Sequence, residues 1–175
     1  LIYKYLKKMK NLIKTITVTT LLILGSLSAN AQNSKADLSY VSTVKLSADK
    51  VWEQIRVMDN IDKISSFVGK VDWTGPKGVG GSRLCTAPDG KGKFRENIIK
   101  FDDNQRTYTW QIVEGVPAKV TNSFKVVDLG LNKSMIVWTS DYDFMENPNM
   151  TEEQFKAFMQ GAVSEMIENM VKMAS

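Results

Sequence analysis

Residues 151–173 read TEEQFKAFMQGAVSEMIENMVKM. Thr151 followed by Gln154 three residues on makes a capping box, which starts a helix at this point. Glu152 and Glu153 put negative charge at the positive end of the helix dipole, and Lys172 puts positive charge at the other end. Phe155, Met159, Ala162, Met166, Met170 and Met173 recur at i+3/i+4 spacing, flanked by Phe158, Val163 and Ile167. The pattern predicts an amphipathic helix roughly 35 Å long at 1.5 Å per residue. Core packing accounts for such an apolar face. The repeated Met adds a sharper reading, because its unbranched thioether adapts to apolar ligands, so the helix is also a candidate cavity wall. Gly161 weakens the helix with no local reason and reads as a place of close approach beside that face.

The segments before this helix alternate as strands do. Leu38–Leu46 reads as a first strand. Ser47 then caps a short helix over Ala48–Met58 with Val51, Trp52 and Ile55 on one face. Asn60–Phe67 is a second short helix with Ile61 and Ile64 inward, and Lys70–Trp73 is a weak strand. Asp89-Gly90 signals a two-residue type I′ hairpin turn. A hairpin centred there pairs Ala87 with Gly92, Cys85 with Phe94 and Arg83 with Glu96. It puts Arg83, Cys85, Phe94, Glu96 and Ile98 on one face.

A three-residue loop over Asp103–Gln105 next sets Ile98 opposite Trp110 and Glu96 opposite Ile112 on the strand Arg106–Val113. Tyr108, Trp110 and Ile112 share one face of that strand. Val120–Asp128 turns Val120, Asn122, Phe124 and Val126 one way. Ser134–Phe144 does the same with Ile136, Trp138, Ser140, Tyr142 and Phe144. A half-buried antiparallel sheet needs a partner for its apolar face, and the final helix is the one element long and apolar enough. The expected fold is α+β: a curved antiparallel sheet of about six to seven strands wrapped around a long C-terminal helix, with two short helices after the first strand.

Residues 1–31 read as a cleaved signal peptide. Lys4, Lys7, Lys8, Lys10 and Lys14 form a basic start, Ile16–Leu27 is an apolar run, and Ala29-Asn30-Ala31 is a cleavage motif. The run is shorter than the 18 or so residues a spanning helix needs, so the mature chain is expected to carry no stable membrane span. Met9 is the expected start. The expected location is periplasmic or secreted, with one domain over 32–175. Removing the five lysines takes 23 basic residues to 18 against 19 acidic ones, near −1 rather than +4. The basic balance of the whole chain therefore gives no support for nucleic-acid binding. Cys85 is the single cysteine, which excludes an intrachain disulfide and reads as a small buried apolar residue. No histidine occurs, which excludes Ser-His-Asp and Cys-His catalysis and His-ligated zinc. Gly75–Gly81 is glycine-rich but matches neither a phosphate-binding loop nor a dinucleotide fingerprint. No cofactor is expected. Asp128, Asp141 and Asp143 fall on the outward face or in turns, so no metal site is expected either.

The order of elements and several local runs resemble the START-like (SRPBCC, Bet v 1-like) helix-grip superfamily, and within it the polyketide cyclase/dehydrase-type proteins that include the plant abscisic acid receptors. The runs are Leu46-Ser47-Ala48-Asp49-Lys50-Val51-Trp52, Gly80-Gly81-Ser82-Arg83, Arg95-Glu96-Asn97-Ile98-Ile99-Lys100-Phe101-Asp102-Asp103 with Arg106, and Val137-Trp138. The resemblance covers essentially all of the chain after residue 31. It implies a hydrophobic ligand held between sheet and C-terminal helix, and a Glu at the place of Glu96 facing the cavity. It also implies gating loops at Ala87–Gly92 and Glu114–Lys119. The gate here is polar, Pro88-Asp89-Gly90-Lys91, and Pro117 stands near the place of the receptors' latch histidine, so their gating mechanism does not carry over.

Register alone puts Arg83 and Glu96 opposite each other on an apolar face, where a charge is tolerated only when paired and hydrogen-bonded. They are the candidate polar anchor of a greasy pocket, or else a structural ion pair. The other candidate ligand-binding residues are Ile98, Tyr108, Trp110, Phe124, Trp138 and Tyr142 on the sheet and Phe155, Met159, Ala162 and Met166 on the helix. Three functions fit. One is an exported binding protein for a hydrophobic small molecule or lipid. The second is a cyclase or dehydratase acting on a polyketide-like substrate, with Glu96 as general base and Arg83 stabilising an enolate. The third is a ligand-free interaction protein of the cell envelope. The absence of histidine favours the first over the second.

Overall fold

The structure, a computed structural model, describes residues 36–175. The expected signal segment and its cleavage motif lie outside the described residues. Seven strands follow the chain: β1 Leu38–Val44, β2 Lys70–Thr74, β3 Ser82–Thr86, β4 Lys93–Asp102, β5 Thr107–Glu114, β6 Ala118–Gly130 and β7 Lys133–Phe144. The helices are α1 Ala48–Ile55, α2 Ile61–Ile64 and α3 Glu152–Ala174. The strands form one antiparallel sheet in the order β1-β7-β6-β5-β4-β3-β2. The fold is the expected helix grip. Among the described residues no helix is long and apolar enough to cross a membrane.

Helix α3 begins as its sequence dictates: Thr151 accepts from the Gln154 amide, and the Gln154 side chain accepts from the Thr151 amide. It buries Phe155, Met159, Val163, Met166, Ile167 and Met170. The apolar face ends one turn earlier than its periodicity predicts, because Met173 is 46% exposed. Gly161 is exposed, and a Cβ built on it meets nothing within 4 Å. It is therefore not a point of close approach.

The sheet register carries the expected pairs. Arg83 lies opposite Glu96 and Cys85 opposite Phe94, while Ile98 faces Trp110 and Glu96 faces Ile112. Two of the reasons differ from the expectation. The β3–β4 connection is not a type I′ turn: the Gly90 amide bonds to the Ala87 carbonyl, Pro88 and Asp89 are the central residues, and Gly90 alone takes a positive φ, of 75°. Pro at the first central position suits the commoner turn geometry, and the register is the same. In the β4–β5 hairpin Asp102 faces Thr107, so the loop is one residue longer than expected and Arg106 adopts a left-handed φ of 47°. A bulge between Ile98 and Lys100 absorbs that residue and restores the pairing around Glu96.

Helix α1 stops at Ile55 rather than Met58. Met58 is buried and takes a left-handed φ of 64°, which no helix continues through. Helix α2 shrinks to a single turn, with Ser65 already extended. One end of the sheet's inner face is occupied by α1 itself. Its Trp52 stacks on Phe101 at 5.9 Å and its indole N–H donates to Asp103 Oδ1 at 2.6 Å. Arg56 bridges to Asp103 at 3.0 Å and Arg106 to Asp49 at 2.6 Å. The Phe101–Asp103 and Arg106 runs noted in the sequence thus hold α1 against the β4–β5 turn.

Candidate functional site

Beyond α1, the inner face of the sheet and the Met-bearing face of α3 do not close completely on each other. A cavity of about 220 Å³ remains between them. Trp110 and Trp138 project into it from the sheet, and Phe155, Met159, Ala162 and Met166 face it from α3. Arg83 and Glu96 close the floor. Eight of the twelve residues singled out from sequence therefore meet at one space.

The other four do not. Tyr108 and Phe124 are buried behind Trp110, with ring centroids 4.9 and 5.4 Å from it, and Tyr108 also lies against Trp52 of α1 at 6.5 Å. Ile98 is fully buried in the core and takes no part in the lining. Tyr142 packs edge-on against Phe155 from outside, with its hydroxyl donating to Glu152 Oε1 at 2.8 Å. Facing inward on a strand was the right criterion for all four, but it does not separate the part of the sheet covered by α1 from the part left open.

Further lining residues are ones the sequence reading did not single out as ligand-binding. Ile61 and Phe67 approach from α2 and the segment after it, Phe94 and Ile112 from the sheet, and Val116, Pro117 and Met150 from loops. Phe158 stands 45% exposed beside Phe67, with centroids 5.2 Å apart, and marks the mouth. Of the two loops the resemblance singled out, only the β5–β6 loop contributes to the lining, and Ala87–Gly92 does not. Gly115 in that loop has a φ of 91°, and a Cβ there would stand 2.0 Å from the Lys93 carbonyl oxygen. Only glycine lets the loop lie against β4, and this contact places Val116 and Pro117 at the rim. Asn122 also lines the cavity. A polar residue at an inward position of an apolar strand was the available signal for it.

The charged pair is deeply buried, the side chains of Arg83 and Glu96 being 1% and 6% exposed. Arg83 Nε donates to Glu96 Oε2, and Arg83 Nη1 donates to the Met58 carbonyl. The left-handed backbone at Met58 is thus coupled to the ion pair. Trp110 Nε1 donates to Glu96 Oε1 at 2.8 Å, and the Cys85 thiol points at Oε2 from 3.9 Å. The guanidinium also lies 5.4 Å from the Trp110 ring centre. Burial lowers the pKa of Arg83, but Glu96 together with the neighbouring Tyr108 and Cys85 more than offsets this, and the net shift is upward. Burial raises the Tyr108 phenol, against the pull of Arg83. Both oxygens of Glu96 already accept hydrogen bonds. Each side chain of the pair is thus held in place by the other and by a further partner, Trp110 for Glu96 and the Met58 carbonyl for Arg83.

Burial, and then the neighbouring Glu96 charge, push the Cys85 thiol up to about 12 from an ordinary 9.0. The folded state therefore holds a proton that the unfolded chain releases. The contribution is whole below about pH 9 and is lost as pH rises toward about 12, at up to about 1.4 kcal/mol per pH unit. Urea midpoints of the wild type should fall between about pH 8 and about pH 10.5, and Cys85→Ala should flatten that fall. Equal slopes for the two proteins would show that the thiol titrates normally.

Residues 35–174 match the family model described as polyketide cyclase / dehydrase and lipid transport. No curated protein matches the chain. Among solved structures, an uncharacterized protein from Bacillus thuringiensis aligns with a TM-score of 0.66 at 17% identity, over 78% of this chain and 97% of that one. Norcoclaurine synthase from Thalictrum flavum, solved with dopamine and hydroxybenzaldehyde, aligns with a TM-score of 0.64 at 20% identity, over 78% and 84%. Ara h 8.0201 aligns with a TM-score of 0.64 at 17% identity, over 78% and 95%. At these identities the likeness is one of fold.

Proposed function

The chain belongs to the polyketide cyclase / dehydrase and lipid transport family, and from that premise we propose that it binds a small hydrophobic molecule in the cavity between α3 and the sheet. Family membership points to hydrophobic ligand binding in general. The observation that carries the reading for this chain is the space itself: the apolar face of α3 meets an aromatic wall and leaves about 220 Å³ unfilled. That is below the roughly 300–1,000 Å³ of sites for drug-sized ligands, so the ligand is small. Binding is favoured over cyclase or dehydratase chemistry because Glu96, the candidate base, is committed to Arg83 and Trp110. The basic, apolar and Ala-Asn-Ala runs of residues 1–31 support an exported protein. A mature N-terminus at Gln32 would establish that, and an intact leader on the protein isolated from its cells would refute it.

Naphthalene is a suitable probe. A ligand that binds only the folded state stabilises it in proportion to the logarithm of its saturation, by about 2.7 kcal/mol at one hundred times Kd. For a domain of this size that is a rise in Tm of about 5 °C or more. The fluorescence of Trp110 and Trp138 should change in parallel and saturate at one molecule per chain. An unchanged Tm and flat fluorescence up to the solubility limit would refute the reading.

A further inference from the structure

Residues 61–67 form the cavity wall beside α3, with Ile61 and Phe67 in the lining. This wall has little structure of its own. Helix α2 is a single turn, its N-cap Asn60 makes no side-chain capping bond, and Ser65 is already extended. The segment is held to α3 instead. The Ser66 amide donates to Glu165 Oε1 at 2.9 Å, and the Ser66 hydroxyl donates to Glu165 Oε2 at 3.0 Å. Asn169 Nδ2 donates to the Ile64 carbonyl at 3.0 Å, and Phe67 meets Phe158 edge-on at 5.2 Å. Phe158, Ala162, Glu165 and Asn169 recur at i+3/i+4 spacing, so they share one stripe of α3. Phe158 and Ala162 line the cavity, and the two polar members of the stripe clasp the wall beside it.

The β5–β6 wall is fastened differently. Its Gly115 lies against the Lys93 backbone, and its Pro117 carbonyl accepts from the Met145 amide. The α2 wall is closed by side-chain bonds that stand exposed to solvent at Ser66 and Glu165. Such bonds exchange for bonds to water at little net cost, and segments held this way open at the low end of the free-energy range. The Ser65 hydroxyl is buried and has no hydrogen-bond partner, so parting the segment from α3 also lets water reach a group that is unsatisfied when it is shut. Phe67 and Phe158 touch across the mouth, and a ligand passing there has to separate them.

We propose that the ligand enters and leaves between α2 and α3, by parting residues 64–67 from the helix, and that Glu165 and Asn169 are positioning residues that hold this portal shut. The proposal rests on the binding reading above and adds the route to it. Neither residue lines the cavity, so neither sets what the site prefers. Entry and exit both pass through the open form. Weakening the clasp therefore raises both rates by the same factor and leaves Kd unchanged, as long as the closed form still dominates.

Stopped-flow tryptophan fluorescence with naphthalene reads both rates, on the wild type, Glu165→Ala, Glu165→Gln and Asn169→Ala. Glu165→Ala removes both bonds to Ser66 and should speed association and dissociation by about tenfold each, with Kd within about twofold of the wild type. Glu165→Gln keeps one acceptor and should fall between the two. Asn169→Ala should move both rates the same way by a smaller factor, and it supplies an independent variant should Glu165→Ala fold poorly. A merely structural role would lower Tm and leave the rates alone, and that result would overturn the proposal. So would faster dissociation with Kd rising in step, which marks a damaged site and not an opened portal. If naphthalene does not bind the wild type, the binding reading fails and takes the portal with it. Binding with unchanged rates in the variants removes the portal alone.

Discussion

Glu96→Ala lowers the stability of the folded protein by about 3–5 kcal/mol. The reason is what remains behind. Arg83 stays buried and charged without its carboxylate, still donating to the Met58 carbonyl, and the Trp110 indole N–H loses its partner. Against a total of about 5–15 kcal/mol for an ordinary domain, the loss is a third or more, and urea denaturation would show it directly. Replacing both partners with apolar residues of similar size, as in Arg83→Met with Glu96→Leu, should recover most of it, since a buried ion pair costs nearly as much to desolvate as it returns. A loss of under about 1 kcal/mol for Glu96→Ala would mean that water reaches the pair, as at a surface ion pair.

Ala162→Trp should abolish naphthalene binding, reducing affinity at least tenfold, while leaving the melting temperature equal to or above that of the wild type. Ala162 faces the cavity from the middle of α3, so the added indole enters space that holds no side chain. Filling a void adds contacts without displacing packed atoms, and for that reason it does not carry the strain of overpacking a closed core. A well-folded Ala162→Trp protein that still bound the probe would put the binding site somewhere else.

The legible part of this molecule was the part governed by short-range rules. The capping box at Thr151–Gln154 and the two-residue period of the strands placed α3 and the sheet. A hairpin centred on Asp89-Gly90, with the same two-residue period, put Arg83 across from Glu96. The pairing of Ile98 with Trp110 was legible for the wrong reason, since an extra loop residue and a bulge at Ile99 cancel in register. What sequence did not carry was which inward residues meet empty space. Tyr108 and Phe124 alternate as cleanly as Trp110 and Trp138, yet α1 lies over Tyr108 through Trp52. That depends on where a helix crosses the sheet, a property of tertiary packing and not of period. The rim residues Phe67, Val116, Pro117 and Met150 lie outside the regular elements, where no periodicity marks them.

Native mass spectrometry of the protein taken from the cells that make it, with wild type and Ala162→Trp side by side, tests the central claim most directly. The expected result is a wild-type chain carrying one small hydrophobic molecule that is released on denaturation and is missing from the folded Ala162→Trp protein. Identical mass profiles for the two folded proteins, with no bound molecule that depends on the open cavity, would contradict it.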